Sequence, residues 1–170
     1  EIYPFEVPPA HKRLAQVLAA QGRVNEAIPL YEHAMGTMPA TPDMARVIVE
    51  LADLYAMRGR IDEAGRHYMM ATRIDDRCAE AFDGLAWLLA TRRGSSQARE
   101  ALRNAKRACE LTGRDNPGML NTLAIAQAVN AQKNDAQQTL TAALTLAEAR
   151  NDQAMATFTR MNMEQVRSMP

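Results

Sequence analysis

The sequence predicts an all-α protein built from stacked pairs of helices, and two observations lead to this prediction. The first is an internal repeat, because QGRVNEAIPLYEHAM at residues 21–35 returns as RGRIDEAGRHYMMAT at residues 58–72. Glycine, alanine and tyrosine recur there at one constant offset, and fixed-period self-similarity is the signature of repeat architectures. The second is composition: aromatic residues make up only 5%, methionine occurs 11 times and alanine is abundant. This balance favours close-packed helices over sheets.

The length of the chain fits one folded domain, and its charge and hydropathy argue against nucleic acid and membrane as partners. The 170 residues suffice for an ordinary domain with a real core, and 47% of them are hydrophobic. Twenty basic side chains balance twenty acidic ones, so the excess that neutralises nucleic-acid phosphates is absent and no nucleic-acid partner is expected. No run of about 18 apolar residues occurs, so direct membrane insertion is not expected.

The chain begins with Glu1 rather than methionine, which indicates a fragment or a processed product. A missing signal peptide then says nothing about localisation, and both cytoplasm and periplasm stay open for a soluble domain. Cys78 and Cys109 form no CxxC motif. We expect both to be small buried hydrophobic residues in a reducing compartment, although the sequence leaves a disulfide open.

The first half of the chain predicts an extended segment followed by four helices. Residues 1–9, EIYPFEVPP, contain three prolines and should be extended. The first helix should begin near Ala10 and end at Gly22. Asn25 is the predicted cap of the second helix, Thr41 with a following proline opens the third, and Asp62 caps the fourth.

The second half predicts five more helices. A third pair comprises AEAFDGLAWLLAT and SQAREALRNAKRACELT, with Ser95 or Ser96 as the cap of its second helix. A fourth pair comprises PGMLNTLAIAQAVNAQ and DAQQTLTAALTLAEA. A ninth helix starts at Asn151 and Asp152 and fits neither member of a repeat. We predict that it caps the stack, with one apolar face toward the core and a polar face toward water.

Helix pairs of about 34 residues with small residues at fixed points resemble the tetratricopeptide repeat (TPR). The stretches LAWLLAT and ACELTG…LNTLA are similar to the last repeats of large bacterial TPR proteins. The first repeat carries the pattern most fully, at Leu14, Ala15, Leu18, Gly22, Ala27, Tyr31, Ala34 and Pro39; the second carries it at Leu51, Ala52, Tyr55, Gly59, Ala64, Tyr68 and Ala71. The third carries it at Leu85, Ala86, Leu89, Ala101, Ala105 and Ala108, and the fourth at Leu123, Ala124, Ala136, Leu140 and Ala143, with Ala131 in place of glycine. The resemblance implies a right-handed α-solenoid of four repeats, at residues 10–41, 42–77, 78–114 and 116–149, between the extended segment 1–9 and a capping helix and tail at 150–170.

The resemblance also implies a partner-binding face, because the first helix of each pair lines the concave side of such a stack. The residues expected to point into it are Lys12, Gln16, Arg46, Val49, Asp53, Met57, Asp83, Trp87, Asn121 and Ile125. Much of this face is apolar, and Trp87 is the only tryptophan of the chain. An alternative stays open, in which Trp87 packs against the next repeat or is covered by the ninth helix or the N-terminal segment.

Other known chemistry finds little support. The carboxylate clamp of some TPR domains would need lysine, asparagine, asparagine, lysine and arginine at five positions, where this chain has Lys12, Gln16, Glu50, Glu80 and Gly84. Only the lysine matches, and two acidic groups would repel a carboxylate. His11, His33 and His67 fall on three helices with no predicted shared face, and no phosphate loop, GxSxG or HExxH motif occurs. We expect no catalytic residue, metal site or cofactor, and we interpret the pairs Glu50–Asp53 and Glu80–Asp83 as solvated charge.

Three functional hypotheses follow. The first is a non-enzymatic scaffold that binds a peptide, a helix or a partner domain on the concave face. The second is a regulatory or substrate-positioning tail of a larger enzyme or membrane protein, such as a glycosyltransferase or an export component. The third is self-association into a homo-oligomer through residues 1–9.

Overall fold

The structure, a computed structural model, describes residues 7–92 and 95–169, and every regular element in these ranges is an α-helix. The helices are α1 (Val7–Ala20), α2 (Val24–Thr37), α3 (Pro42–Met57), α4 (Ile61–Ile74), α5 (Ala79–Thr91), α6 (Ser95–Leu111), α7 (Pro117–Val129), α8 (Lys133–Ala149) and α9 (Gln153–Ser168). The predicted all-α, α-solenoid class is confirmed. Within these ranges no helix combines the length and the apolar character needed to cross a membrane.

Helix α1 begins at Val7, earlier than predicted, so the expectation of an extended chain is wrong for residues 7–9. The two prolines that follow Val7 lie in the first helical turn, where a missing backbone N–H removes no intrahelical hydrogen bond. The rest of the predicted extended segment, residues 1–6, lies outside the described residues.

The helix starts show where capping arguments succeed and fail. Thr41 is the N-cap of α3 as predicted, since its hydroxyl accepts a hydrogen bond from the backbone N–H of Met44 at 3.4 Å. The predicted caps Asn25 and Asp62 are wrong, because α2 and α4 each begin one residue before the predicted cap and include it in the helix. The N-cap positions belong to Arg23 and Arg60, neither of which forms a side-chain cap.

The physical reason is the turn between the helices of each pair. Gly22 has a φ of 74°, and the backbone N–H groups of Gly22 and Arg23 bond to Ala19 and Leu18, respectively. These two hydrogen bonds form a Schellman motif, which ends α1 and places Arg23 directly at the start of α2. The N-cap position therefore falls on Arg23, whose side chain forms no cap, and Asn25 lies inside the first turn of α2.

The fourth repeat makes the same turn without glycine. Ala131 has a φ of 60°, and the backbone N–H groups of Ala131 and Gln132 bond to Ala128 and Gln127. Alanine is strained in this left-handed region, where glycine is not. The repeat geometry is therefore retained at a local energetic cost.

The chain divides into two compact units, with the first ending at Ala81 and the second starting at Phe82. In the first unit α1 packs on α2, α2 on α3 and α3 on α4. Small residues lie where these helices meet, and Ala15, Ala27, Ala52 and Ala64 have no exposed surface. Their size lets the helices approach closely, while larger side chains fill the remaining space.

In the second unit α7 packs on both α6 and α8, and α9 packs on α8 and α7. Helix α9 buries Ala156 and Val166 completely, whereas Thr157, Arg160 and Glu164 are exposed. Helix α9 therefore closes the apolar side of the last pair and turns a polar side to water, as predicted for a capping helix.

Candidate protein-binding faces

In the first unit a carboxylate links three helices. Gln16 on α1 donates from Nε2 to both carboxylate oxygens of Glu50 on α3, at 3.0 and 3.1 Å. The hydroxyl of Tyr31 on α2 donates to the same carboxylate at 2.6 Å. Glu50 is therefore a structural acceptor, and its interpretation as merely solvated charge is wrong.

A second tyrosine–carboxylate pair lies farther along α3. The hydroxyl of Tyr68 on α4 donates to Asp53. Asp53 is accessible at the surface of α3, yet burial raises the pKa of its carboxyl above the ordinary value, against the opposite effect of the Tyr68 hydrogen bond and with a smaller contribution from Glu50. This part of the face presents a carboxylate whose charged form is disfavoured.

The tyrosines in these contacts act as donors. Burial, followed by the hydrogen bond to Glu50, raises the pKa of Tyr31 above its ordinary value. Burial and a hydrogen bond to Glu32 raise the pKa of Tyr55 to about 12. The phenols therefore stay protonated at neutral pH.

The residues predicted for the face of the first unit differ in exposure. Gln16, Arg46, Asp53 and Met57 are exposed, with 70% of Met57 accessible, and Lys12 is half-buried. Val49 is only 7% exposed, so its prediction as an accessible residue is wrong. It lies one turn from Ala45 and Ala52, which have no exposed surface, and therefore belongs to the core side of α3.

In the second unit Trp87 on α5 contacts Phe158 on α9, with 6.5 Å between ring centroids and 50° between ring planes. Helix α9 also packs on α7. Because Trp87 belongs to the predicted concave face of α5, Phe158 lies against that predicted face, which we call the inner face of the unit. Trp87 is 37% exposed and Phe158 is 39% exposed. Trp87 is therefore neither fully open to solvent nor fully covered by the ninth helix.

Two predicted face residues of the second unit are buried. Asn121 is 1% exposed and Ile125 is 4% exposed, so their prediction as accessible residues is wrong. Asn121 donates to the hydroxyl of Thr159 at 2.8 Å and accepts from Asn162 at 2.8 Å. These hydrogen bonds hold α9 against α7.

Asp83 on α5, a further residue of the predicted face, is half-buried.

Sequence reasoning missed two residues of α9. Phe158 lies against Trp87, and Met161, one turn later, is 64% exposed. Met161 also borders a shallow groove of 380 Å³, lined by Thr157, Arg160, Met161, Met163, Glu164 and Arg167. The i, i+3 spacing of Phe158 and Met161 could have shown that two large apolar side chains share one side of α9. The interpretation of α9 as a capping helix did not use this spacing.

The histidines are arranged differently from the prediction. His11 on α1 and His33 on α2 lie against each other, with 4.5 Å between ring centroids. The prediction that the histidines share no face is therefore wrong for this pair. His67 lies instead against Tyr55, at 5.0 Å between ring centroids. Among the described residues, no three histidine, cysteine or carboxylate side chains lie close enough to hold a metal ion.

Both cysteines are buried and free. Burial raises the pKa of the Cys78 thiol above its ordinary value and that of Cys109 to about 11. Raised thiol pKa values mean little thiolate at neutral pH, which is the behaviour of packing residues rather than of nucleophiles.

A family model matches part of the chain. Residues 7–77 match a model described as tetratricopeptide repeat. No curated protein matches the chain.

Several solved structures share the fold. A thermophilic TPR protein of Thermus thermophilus is 20% identical, with a TM-score of 0.72 over 92% of this chain and 82% of that one. The MamA RS-1 ArsTM double mutant is 11% identical, with a TM-score of 0.70 over 97% of both chains. YrrB, a TPR protein, is 15% identical, with a TM-score of 0.63 over 92% of this chain and 84% of that one.

These likenesses agree with the repeat turns and the alanine-lined helix contacts on the fold. Repeats of this kind are typically non-enzymatic modules for protein–protein interaction. Residues 7–77 thus match the tetratricopeptide repeat family, and the chain shares the helical-repeat fold of solved TPR proteins.

Proposed function

We propose that this chain is a non-enzymatic scaffold that binds a peptide segment of a partner protein on the inner faces of its helix pairs. The observation that carries the proposal is the half-exposed aromatic pair Trp87–Phe158 with the exposed Met161 beside it. Tryptophan is enriched among the residues that dominate binding energy, and methionine adapts its shape to varied partners.

The chemistry of this face favours an apolar anchor in the ligand. More than a third of each aromatic side chain is accessible, and Met161 offers further apolar surface one turn away. Covering this surface with a leucine, phenylalanine or methionine of the partner would remove apolar area from water, which contributes roughly 25 cal/mol per Å². An anchor on a short segment is therefore the expected ligand element.

The inner face of the first unit is a second candidate surface and is more polar. Lys12, Gln16, Arg46 and Asp53 offer donors and acceptors on α1 and α3, and Met57 at the end of α3 is exposed. A basic side chain of the ligand near Asp53 would favour the ionised carboxylate, whose formation burial opposes in the free protein. The similar protein YrrB is described as having an unusual peptide-binding site, which supports a peptide as the first ligand class to test.

The test is a selection of random displayed peptides against the whole chain, followed by fluorescence anisotropy with purified variants. We expect Trp87→Ala and Phe158→Ala each to raise the Kd of a selected peptide about tenfold or more, the loss of roughly 1.4 kcal/mol typical of an interface anchor. The matched control is Met69→Ala, because Met69 on α4 is 38% exposed and lies outside the proposed face. Its Kd should stay unchanged.

Two results would contradict the proposal. One is a failure to select any peptide, and the other is a Kd that moves no more in the aromatic variants than in Met69→Ala. Circular dichroism spectra establish that each variant is folded. Phe158→Leu, which keeps an apolar side chain against Trp87, serves as the milder variant if Phe158→Ala is unstable.

A further inference from the structure

Two of the three histidines of the chain lie against each other in the first helix pair. His11 on α1 and His33 on α2 have 4.5 Å between their ring centroids and 45° between their ring planes. Helices α1 and α2 pack on each other, so the fold of the pair sets the separation of the two rings. The remaining histidine, His67 on α4, lies against Tyr55 instead.

The separation of the two rings fits a shared metal ion. An imidazole nitrogen lies about 2.1 Å from a bound metal, and the ring centre lies about 1.1 Å farther along the same line. Two imidazoles in neighbouring positions of a square-planar or tetragonal ion, about 90° apart, therefore have centroids about 4.5 Å apart, against about 5.2 Å at a tetrahedral ion. The observed 4.5 Å corresponds to the square-planar or tetragonal arrangement.

The ring planes do not oppose this arrangement. An imidazole can rotate about its bond to the metal without changing the distance between the centroids, so the 45° between the planes is compatible with a common ion. Because the centroids already lie at the required distance, side-chain rotation alone can aim one nitrogen of each ring at the same point. The backbones of α1 and α2 keep their positions.

The donor atoms define the class of metal. Imidazole nitrogen suits Cu²⁺, Ni²⁺ and Zn²⁺, whereas Mg²⁺ and Ca²⁺ prefer oxygen ligands. Square-planar and tetragonal coordination is typical of Cu²⁺ and Ni²⁺. In the part of the chain that the structure describes, no three histidine, cysteine or carboxylate side chains come close enough to share an ion. Two imidazoles therefore hold the ion, and its other positions are left to water or to a donor group of a partner.

We propose that His11 and His33 form a two-histidine site for Ni²⁺ or Cu²⁺ that joins α1 to α2. The ion is bound through one nitrogen of each imidazole. The site shares no residue with the aromatic pair Trp87–Phe158 on which the proposed peptide binding rests. Metal binding and peptide binding therefore stand or fall independently.

The test is isothermal titration calorimetry of Ni²⁺ into the whole chain, freed of metal and of any polyhistidine tag, at about pH 7.5, because metals bind the neutral imidazole. Wild type is compared with His11→Gln and His33→Gln. The matched control is His67→Gln, which removes the histidine whose ring lies against Tyr55. Mg²⁺ is the control ion. His33 is exposed and His11 is half-buried, so glutamine at either position should preserve the fold, which circular dichroism checks.

We expect wild type to bind one Ni²⁺ per chain, and the Kd to rise about tenfold or more in His11→Gln and in His33→Gln, because each removes one of two metal–nitrogen bonds. His67→Gln should bind as wild type does, and Mg²⁺ should not bind. Excess Ni²⁺ should raise the melting temperature of wild type but of neither pair variant, since a ligand of the folded state stabilises it.

Nuclear magnetic resonance of wild type gives a second measurement that needs no variant to fold. Cu²⁺ is paramagnetic, so a small amount should broaden the ring-proton signals of His11 and His33 and leave those of His67 sharp.

Three results would overturn the proposal. The first is no Ni²⁺ binding up to millimolar concentrations. The second is a Kd that rises in only one of the two pair variants or in neither, because the ion would then sit on a single side chain. The third is half an ion per chain with a metal-induced dimer in light scattering, because the ion would then bridge two chains.

Discussion

The side-chain amide of Asn162 on α9 donates a 2.8 Å hydrogen bond to the side-chain oxygen of Asn121 on α7, inside the second unit. Asn121 donates in turn to the backbone oxygen of Pro117 and to the hydroxyl of Thr159, both at 2.8 Å. Buried polar groups are tolerated when all of them find partners, and a satisfied network fixes one arrangement of the helices. The capping helix is therefore held in register by hydrogen bonds as well as by apolar packing.

Replacing Asn121 with leucine should lower the free energy of unfolding by about 1–3 kcal/mol, because the amide of Asn162 would lose its acceptor in a buried place. Urea denaturation measures the change. The matched control is Asn104→Leu, which removes a half-buried asparagine whose side chain donates to the backbone of Glu100 on its own helix. Equal losses in the two variants would contradict the role given to the network.

Enlarging an alanine at a helix contact should destabilise the first unit. Ala64 has no exposed surface, and leucine in its place should overpack the contact of α3 with α4 by about 1–3 kcal/mol. Ala142→Leu on the exposed side of α8 is the control and should leave the melting temperature nearly unchanged. An unchanged melting temperature for Ala64→Leu would show that the contact tolerates larger residues.

The left-handed turns at Ala131 and Gly22 predict that exchanging alanine and glycine changes the free energy of unfolding in opposite directions. Ala131→Gly should stabilise the protein by about 1 kcal/mol, because glycine adopts the φ of 60° without the strain that alanine carries. Gly22→Ala, at a φ of 74°, should destabilise it by a similar amount, about 1 kcal/mol. Chemical denaturation of both variants tests the pair, and destabilisation by Ala131→Gly would show that the turn is not strained.

The raised pKa of Asp53 predicts a pH-dependent effect in the first unit. A carboxyl whose pKa is higher in the folded chain makes the free energy of unfolding fall as the pH rises through that pKa. Asp53→Asn removes this loss and keeps an oxygen that can accept the Tyr68 hydrogen bond. The variant should melt above the wild type at neutral pH, and the difference should vanish below about pH 4, the ordinary pKa of aspartate.

Thermal melts across this pH range, followed by circular dichroism, measure the effect. A variant that melts below the wild type at neutral pH would mean that the charged hydrogen bond outweighs burial. A difference that persists unchanged at acidic pH would mean that ionisation of Asp53 is not its cause.

The repeat could be predicted from sequence because small residues and glycines recur at fixed positions. The helix starts at Val24 and Ile61 could not be predicted, since the preceding glycine turns place arginines at the N-cap positions and put Asn25 and Asp62 inside the helices. Ala131 adopts the same left-handed backbone conformation as the glycines of the other turns. Without a glycine at this position, the sequence alone did not indicate it.

The candidate faces were only partly predictable. Exposure of a residue such as Trp87 depends on which side chains pack over it, and the one-dimensional pattern did not reveal which residue of α9 would contact the indole. The proximity of His11 and His33 likewise depends on how α1 and α2 pack. Such contacts join residues far apart in sequence, where periodicity carries no information.

The central claim is that the inner face around Trp87 binds a partner segment, and Trp87 is the only tryptophan of the chain. Its fluorescence during titration with a selected peptide is the most direct measurement. We predict a saturable shift of the emission to shorter wavelength, with the Kd found by anisotropy, because the bound anchor covers the indole. Binding by anisotropy with an unchanged emission spectrum would contradict the claim and place the ligand elsewhere.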